Sequence, residues 1–199
     1  MSIIKTIHGN GLALKEFKKS RFIGNVFPVA DETEAKSFVE DIRQRYPDAN
    51  HNVFAYRITG DGNLIMKYDD DGEPSGSSGK PVFRVLELKG LDNVVVIISR
   101  YFGGIKLGFG GLSRAYKQTA IEAIDDAGIV EQSSTKEMKV VVDYGNMQFV
   151  KHMLENCATI LDEHYSDVVE IVVAVAEDKI DELEKLINEK IPDTQIIRL

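Results

Sequence analysis

The residues best equipped for chemistry lie in one stretch, Ser99 to Lys117. It holds five glycines (Gly103, Gly104, Gly108, Gly110, Gly111), four basic residues (Arg100, Lys106, Arg114, Lys117), four aromatics and no acid. The chain of 199 residues carries a formal net charge of -8, so a local surplus of four cations asks for a reason. Glycine lets a ligand approach the main chain closely. A helix that starts beside it points unpaired N–H groups and the positive end of its dipole outward. The chemistry such a loop offers is anion binding, above all of a phosphate. The rings of Tyr101, Phe102 and Tyr116 add stacking for a single-stranded nucleic acid. The alternative is a tight turn whose glycines serve packing alone.

A second donor-rich segment, Ser75-Gly76-Ser77-Ser78-Gly79, precedes Lys80 and a helix that Pro81 begins, with Ser78 or Gly79 as cap. Ser75, Ser77, Ser78 and Lys80 beside the glycine loop would make a two-sided anion cradle. Just before them stand Asp69, Asp70, Asp71 and Glu73, four carboxylates within five residues. Asp69, Asp71 and Glu73 could hold a hard cation such as magnesium. Salt links to Arg100 or Arg114 and turn hydrogen bonds are the preferred reading, so no metal is assigned. His51 opens a strand and is either a hydrogen bonder at its end or a site residue.

Taken together, Asp69 to Pro81 and Ser99 to Lys117 resemble the paired signature of the IMPACT family, in its bacterial YigZ-like branch. Ser77-Ser78 stands where that family commonly has Thr-Ala, and Phe109 where it has a small Thr. His51, Ala55 and Tyr56 also match its pattern. The resemblance implies an N-terminal domain folded like domain 2 of ribosomal protein S5 and a ferredoxin-like C-terminal domain. Eukaryotic relatives regulate translation by occupying the activator of an amino-acid-starvation kinase, through a core that follows a further interaction domain. This chain is expected to start directly with the core.

The leading functional expectation is therefore a non-enzymatic, translation-associated regulator that binds RNA, the ribosome or a translation-related protein through the basic glycine loop. The alternative is an enzyme that binds a phosphorylated or nucleotide ligand. Asp69, Asp71 and Glu73 would then hold a metal or act as base, and Ser75, Ser77 and Ser78 would grip phosphate. There is no Walker-type loop and no orderable Ser, His and Asp set. No cofactor is expected. A third reading is a scaffold whose acidic tail engages a basic protein partner.

The elements that must position these residues follow from periodicity. Strands are predicted at Leu12–Ser20, Arg21–Val29, His51–Arg57 and Leu64–Tyr68, with a turn at Asp61-Gly62-Asn63. The continuous β-branched run Val94–Ile98 reads as a buried strand. Helices are predicted to start near Glu34 and Pro81, and a third to run from Leu112 to Gly128. Residues 129–135 have a linker composition. Beyond them the order is β-α-β-β-α-β, that of a ferredoxin-like sandwich. The fold class is α+β in two domains, 1–132 and 136–199. Net charge divides as -1 over residues 1–135 and -7 over 136–199, so an electrostatic nucleic-acid surface belongs to the first. The single cysteine, Cys157, forms no internal disulfide. With neither a leader nor a run of 18 apolar residues in the sequence, no membrane partner and a cytoplasmic location are expected.

Overall fold

The computed structural model describes residues 3–60, 63–133, 135–192 and 194–199. It divides into two compact units, one of them Lys5–Glu131 and the other containing Gln132–Leu199. The protein is α+β throughout.

The first part of the chain runs β1 (Ile3–Ile7), β2 (Gly11–Phe17), β3 (Ser20–Pro28), α1 (Glu32–Arg45), β4 (His51–Gly60), β5 (Asn63–Asp69), α2 (Gly79–Lys89), β6 (Val94–Tyr101), α3 (Phe109–Ala127) and β7 (Ile129–Ser133). Five strands form an antiparallel sheet in the order β2-β3-β6-β4-β5. Antiparallel sheets commonly wet one face and then alternate in sequence. Here both faces are covered, which is why β6 reads as an unbroken apolar run. Val94, Val96 and Ile98 pack with Val53, Ala55 and the apolar sides of α2 and α3. Val95 and Ile97 turn to the other face, where Phe54, Tyr56 and Ile58 meet Ala35, Val39 and Ile42 of α1.

Local chemistry sets the helix ends. Asp31 caps α1 by accepting from the Glu34 N–H at 2.8 Å, and the Glu34 carboxylate accepts from the Ala30 N–H at 2.7 Å. The helix closes at Tyr46, just before Pro47. Gly90 ends α2 in the left-handed conformation, with φ 64°.

The second part runs β8 (Thr135–Val142), α4 (Met147–Glu155), β9 (Ala158–Tyr165), β10 (Val169–Ala176), a 3-10 turn at Glu177–Lys179, α5 (Ile180–Lys190) and β11 (Gln195–Arg198). Its sheet has the order β11-β8-β10-β9, antiparallel at every step. With two helices packed on that sheet, this is the ferredoxin-like topology. Val169, Ile171, Val173 and Val175 of β10 are all buried with Val150, Leu154, Leu183 and Ile187 from the helices.

The elements depart from the sequence expectations in three places. Residues 129–133 form a strand rather than a linker, because β7 pairs with β1, an element the periodicity did not reveal. Helix α3 starts at Phe109, three residues before Leu112, so Gly110 and Gly111 belong to its first turn and not to a loop. Asp178, whose type and place just before Ile180 read as a helix cap, sits in the 3-10 turn and caps nothing. Asp61 and Gly62, of the expected hairpin turn, lie outside the described residues.

Candidate functional site

The site forms where β6 delivers its last residues between β3 and β4. Register places Arg100 opposite Phe22 on one side and His51 on the other. Arg100 continues the row of Val94, Val96 and Ile98, so its side chain points into the face covered by α2 and α3, and it is only 5% exposed. That corrects the expectation of a surface cation. A buried guanidinium needs a counter-charge, and Glu73 provides it. Its Oε1 accepts from Arg100 Nη1 at 2.5 Å and from the Tyr116 hydroxyl at 2.8 Å. Arg100 Nη2 lies 3.4 Å from Ser20 Oγ, which also accepts from the Gly103 N–H at 3.1 Å. The rings of Phe22 and Phe102 lie 5.5 and 5.6 Å from the guanidinium carbon. Arg100 Nε, buried as well, finds no acceptor among the described residues.

Tyr116 is fully buried, so it is no stacking platform. Burial, together with the Glu73 charge and hydrogen bond, pushes its hydroxyl far above the usual tyrosine range. It therefore remains a neutral donor. His51 Nδ1 sits 2.7 Å from the Asp71 carbonyl oxygen. A carbonyl only accepts, so Nδ1 carries the proton and Nε2 faces Glu73 Oε2 at 3.9 Å.

Above this cluster a cavity of about 420 Å³ is lined by His51, Glu73, Arg100, Phe102, Lys106, Gly108 and Phe109 among others. Lys106 is exposed, and so are the rings of Phe102 (48%) and Phe109 (58%). Gly108 is the N-cap of α3, at φ 71°, and no side chain caps the helix. The first-turn N–H groups are thus available to an anion. The five glycines divide by role. A Cβ at Gly103 would fall 2.0 Å from the Lys19 carbonyl carbon, so Gly103 allows the β2–β3 turn to press against the loop. Gly104, at φ 82°, and Gly108 adopt left-handed backbone angles. Gly110 leaves open space over the helix start, with nothing within 4 Å of where its Cβ would be, and Gly111 touches only Leu107.

The serine–glycine segment is built differently from the expected cradle. Its donors already hold an anion from the chain itself. The Asp70 carboxylate accepts from the N–H groups of Gly76, Ser78 and Gly79 at 2.7, 3.1 and 2.8 Å, and from the Ser78 hydroxyl at 2.6 Å. Burial acts to raise the Asp70 pKa, but these donors outweigh it and hold the carboxyl below its ordinary value. Ser77 and Ser78 are fully buried, whereas Ser75 is exposed. Lys80 lines a different groove, with Lys117, and Arg114 is exposed and lines neither. The two halves of the expected cradle therefore do not join.

The remaining acids are also engaged. Asp69 accepts from the Asp71 N–H at 2.6 Å, while Asp71 accepts from the Asn52 N–H at 2.6 Å and pairs with Arg43 at 3.4 Å. Among the described residues no three His, Cys, Asp or Glu side chains come together as a metal site. No described helix is long and apolar enough to cross a membrane.

The fold and the site together define a two-domain α+β protein whose first domain carries a cavity lined by Lys106 and the start of α3. Residues 18–124 match the Impact N-terminal domain, and residues 140–191 match a domain of unknown function, DUF1949. The IMPACT family member YvyE of Bacillus subtilis is 39% identical over 80% of this chain and 74% of its own length. The IMPACT family member YigZ of Escherichia coli is 32% identical over 85% of this chain and 84% of its own. A crystal structure described only as that of a hypothetical protein aligns with 100% of this chain and 98% of its own, at 29% identity and a TM-score of 0.74. The chain belongs to the IMPACT family.

Proposed function

We propose that this protein is a non-enzymatic, translation-associated regulator that binds single-stranded RNA at the cavity between Arg100 and the start of α3, in the cytoplasm. The observation that carries this reading is the convergence of an uncapped helix N-terminus, the exposed Lys106 and the exposed rings of Phe102 and Phe109 at one opening. A phosphate would sit on the Phe109–Gly111 N–H groups with Lys106 beside it, and bases would stack on the two rings. Arg100 closes the floor of the cavity, its charge balanced by Glu73. The family resemblance supports the link to translation, because it implies eukaryotic relatives that act there.

The experiment is a titration of labelled single-stranded RNA into the full chain at low and moderate salt. Binding that weakens steeply with salt, from a protein of net charge -8, supports the reading. No binding at low salt overturns it. His51 beside Glu73 at the edge of a cavity of about 420 Å³ favours one second reading, a small phosphorylated or nucleotide ligand. Displacement of RNA by a mononucleotide at comparable concentration would select it.

A further inference from the structure

We propose that β5 and the groove beside it form a docking site for an extended, acidic segment of a partner protein, which adds to the sheet as a strand. This surface is separate from the cavity at α3. β5 ends the five-stranded sheet, and its seven residues are all exposed. Proteins usually blunt such an edge with a bulge, a proline or inward charges. β5 has neither bulge nor proline: its pairing with β4 runs without a register shift, and its two charged residues, Lys67 and Asp69, both lie on the α1 face, opposite Tyr56 and Phe54, which leaves the α2 face apolar. On the other face, Leu64, Met66 and Tyr68 are 45%, 53% and 44% exposed and flank α2. The Tyr68 ring lies 5.7 Å from that of Phe83.

The chemistry of the occupant comes from what borders this apolar strip. A groove of about 630 Å³ runs from Tyr68 and Phe83 to Lys80, Arg84 and Lys117. Arg84 is paired with Glu87 at 2.9 Å, while Lys80 and Lys117 have no ion-pair partner among the described residues. Unpaired lysines lining one groove of an acidic chain call for carboxylates. The free ladder of β5 asks for a peptide backbone, and the alternating side chains select apolar residues on the same face as those acids. RNA would match the lysines but not the strand edge. A second copy of this chain would bring β5 against β5 and leave the lysines unanswered.

The probe is a short labelled peptide of the repeat Thr-Val-Thr-Glu, which sets valine and glutamate on one face of an extended strand, titrated into the full chain by fluorescence anisotropy. Amide hydrogen exchange is read over Asn63–Tyr68. We expect saturable binding, slowed exchange in β5, and at least tenfold weaker binding to the Lys80→Glu, Lys117→Glu double variant. The same peptide with N-methylated amides should not bind, since it keeps the charges but loses the strand donors. Several results would overturn the proposal: no saturable binding, equal binding of the same repeat with lysine for glutamate or of the methylated one, unchanged exchange in β5, or displacement by single-stranded RNA. Self-association through β5 that the peptide leaves intact would overturn it as well.

Discussion

The Asp70 carboxylate occupies the start of α2, accepting from both the hydroxyl and the N–H of Ser78, its N-cap residue. The usual capping direction is reversed. The serine side chain gives a hydrogen bond to an acid from upstream instead of receiving one from the helix, and the acid satisfies the orphan N–H groups of the turn. Asp70→Ala should therefore leave the Gly76, Ser78 and Gly79 N–H groups unpaired and cost about 3 kcal/mol, read by urea unfolding. If the variant unfolds at the wild-type midpoint, this anchor is not structural.

The same carboxylate gives a pH dependence of definite sign. Its pKa is lower folded than unfolded, so its stabilisation is complete above the unfolded value of about 3.9. It declines as pH falls below that value and is gone once pH has passed the folded pKa. Wild type should lose stability over that acidic window more steeply than Asp70→Asn, whose side chain does not titrate. Parallel stability curves for the two proteins between pH 5 and pH 2 would contradict this.

Glu73 and Arg100 are a buried pair, and breaking one partner strands the other. Arg100→Met and Glu73→Gln should each destabilise by about 3–5 kcal/mol, whereas the two combined should cost less than the sum. Thermal unfolding of the three variants measures the coupling. Additive losses would mean that the pair is not a unit. A binding assay that uses an Arg100 variant must be accompanied by such a measurement.

Lys106 is exposed and has no place in either apolar core of its domain, so Lys106→Ala should leave the melting temperature unchanged. RNA affinity should fall several-fold, and the slope of log K against log salt should drop by about 0.7, one phosphate contact on a single strand. An unaltered slope would remove Lys106 from the interface.

Gly103→Ala tests packing rather than binding. Its Cβ would overlap the Lys19 carbonyl carbon, 2.0 Å away. The turn between β2 and β3 must then move, at about 1–3 kcal/mol. Gly110→Ala meets open space and should leave stability unchanged or raise it, since alanine is the better helix former. The opposite ranking by differential scanning calorimetry would refute the division of roles among the glycines.

The sequence made some of this legible for identifiable reasons. In the tail domain Met138, Val140 and Val142 alternate along β8 and the strands and helices follow one another in a readable order, so its topology follows from element order alone. The buried β6 announces itself by its unbroken apolar run. Arg100 was misread because charge suggests exposure, and its partner Glu73 lies 27 residues away across two elements. The start of α3 was hidden because Phe109, Gly110 and Gly111 carry no helical periodicity, although a glycine N-cap is legitimate. The serine–glycine segment looked like an empty phosphate cradle because nothing local reveals that Asp70, six to nine residues upstream of its donors, fills it. β1 and β7 define each other by pairing, and a polar strand such as Ile129–Ser133 carries little signal of its own.

The glycines that open α3 have one more consequence. Two successive glycines weaken the first turn of α3 by shifting its helix–coil balance toward coil, since each costs about 1 kcal/mol against alanine. An anion resting on the same turn shifts the balance by a similar amount. A ligand bound there as proposed would stabilise the first turn of the helix that receives it, and its affinity would be moderated by that ordering.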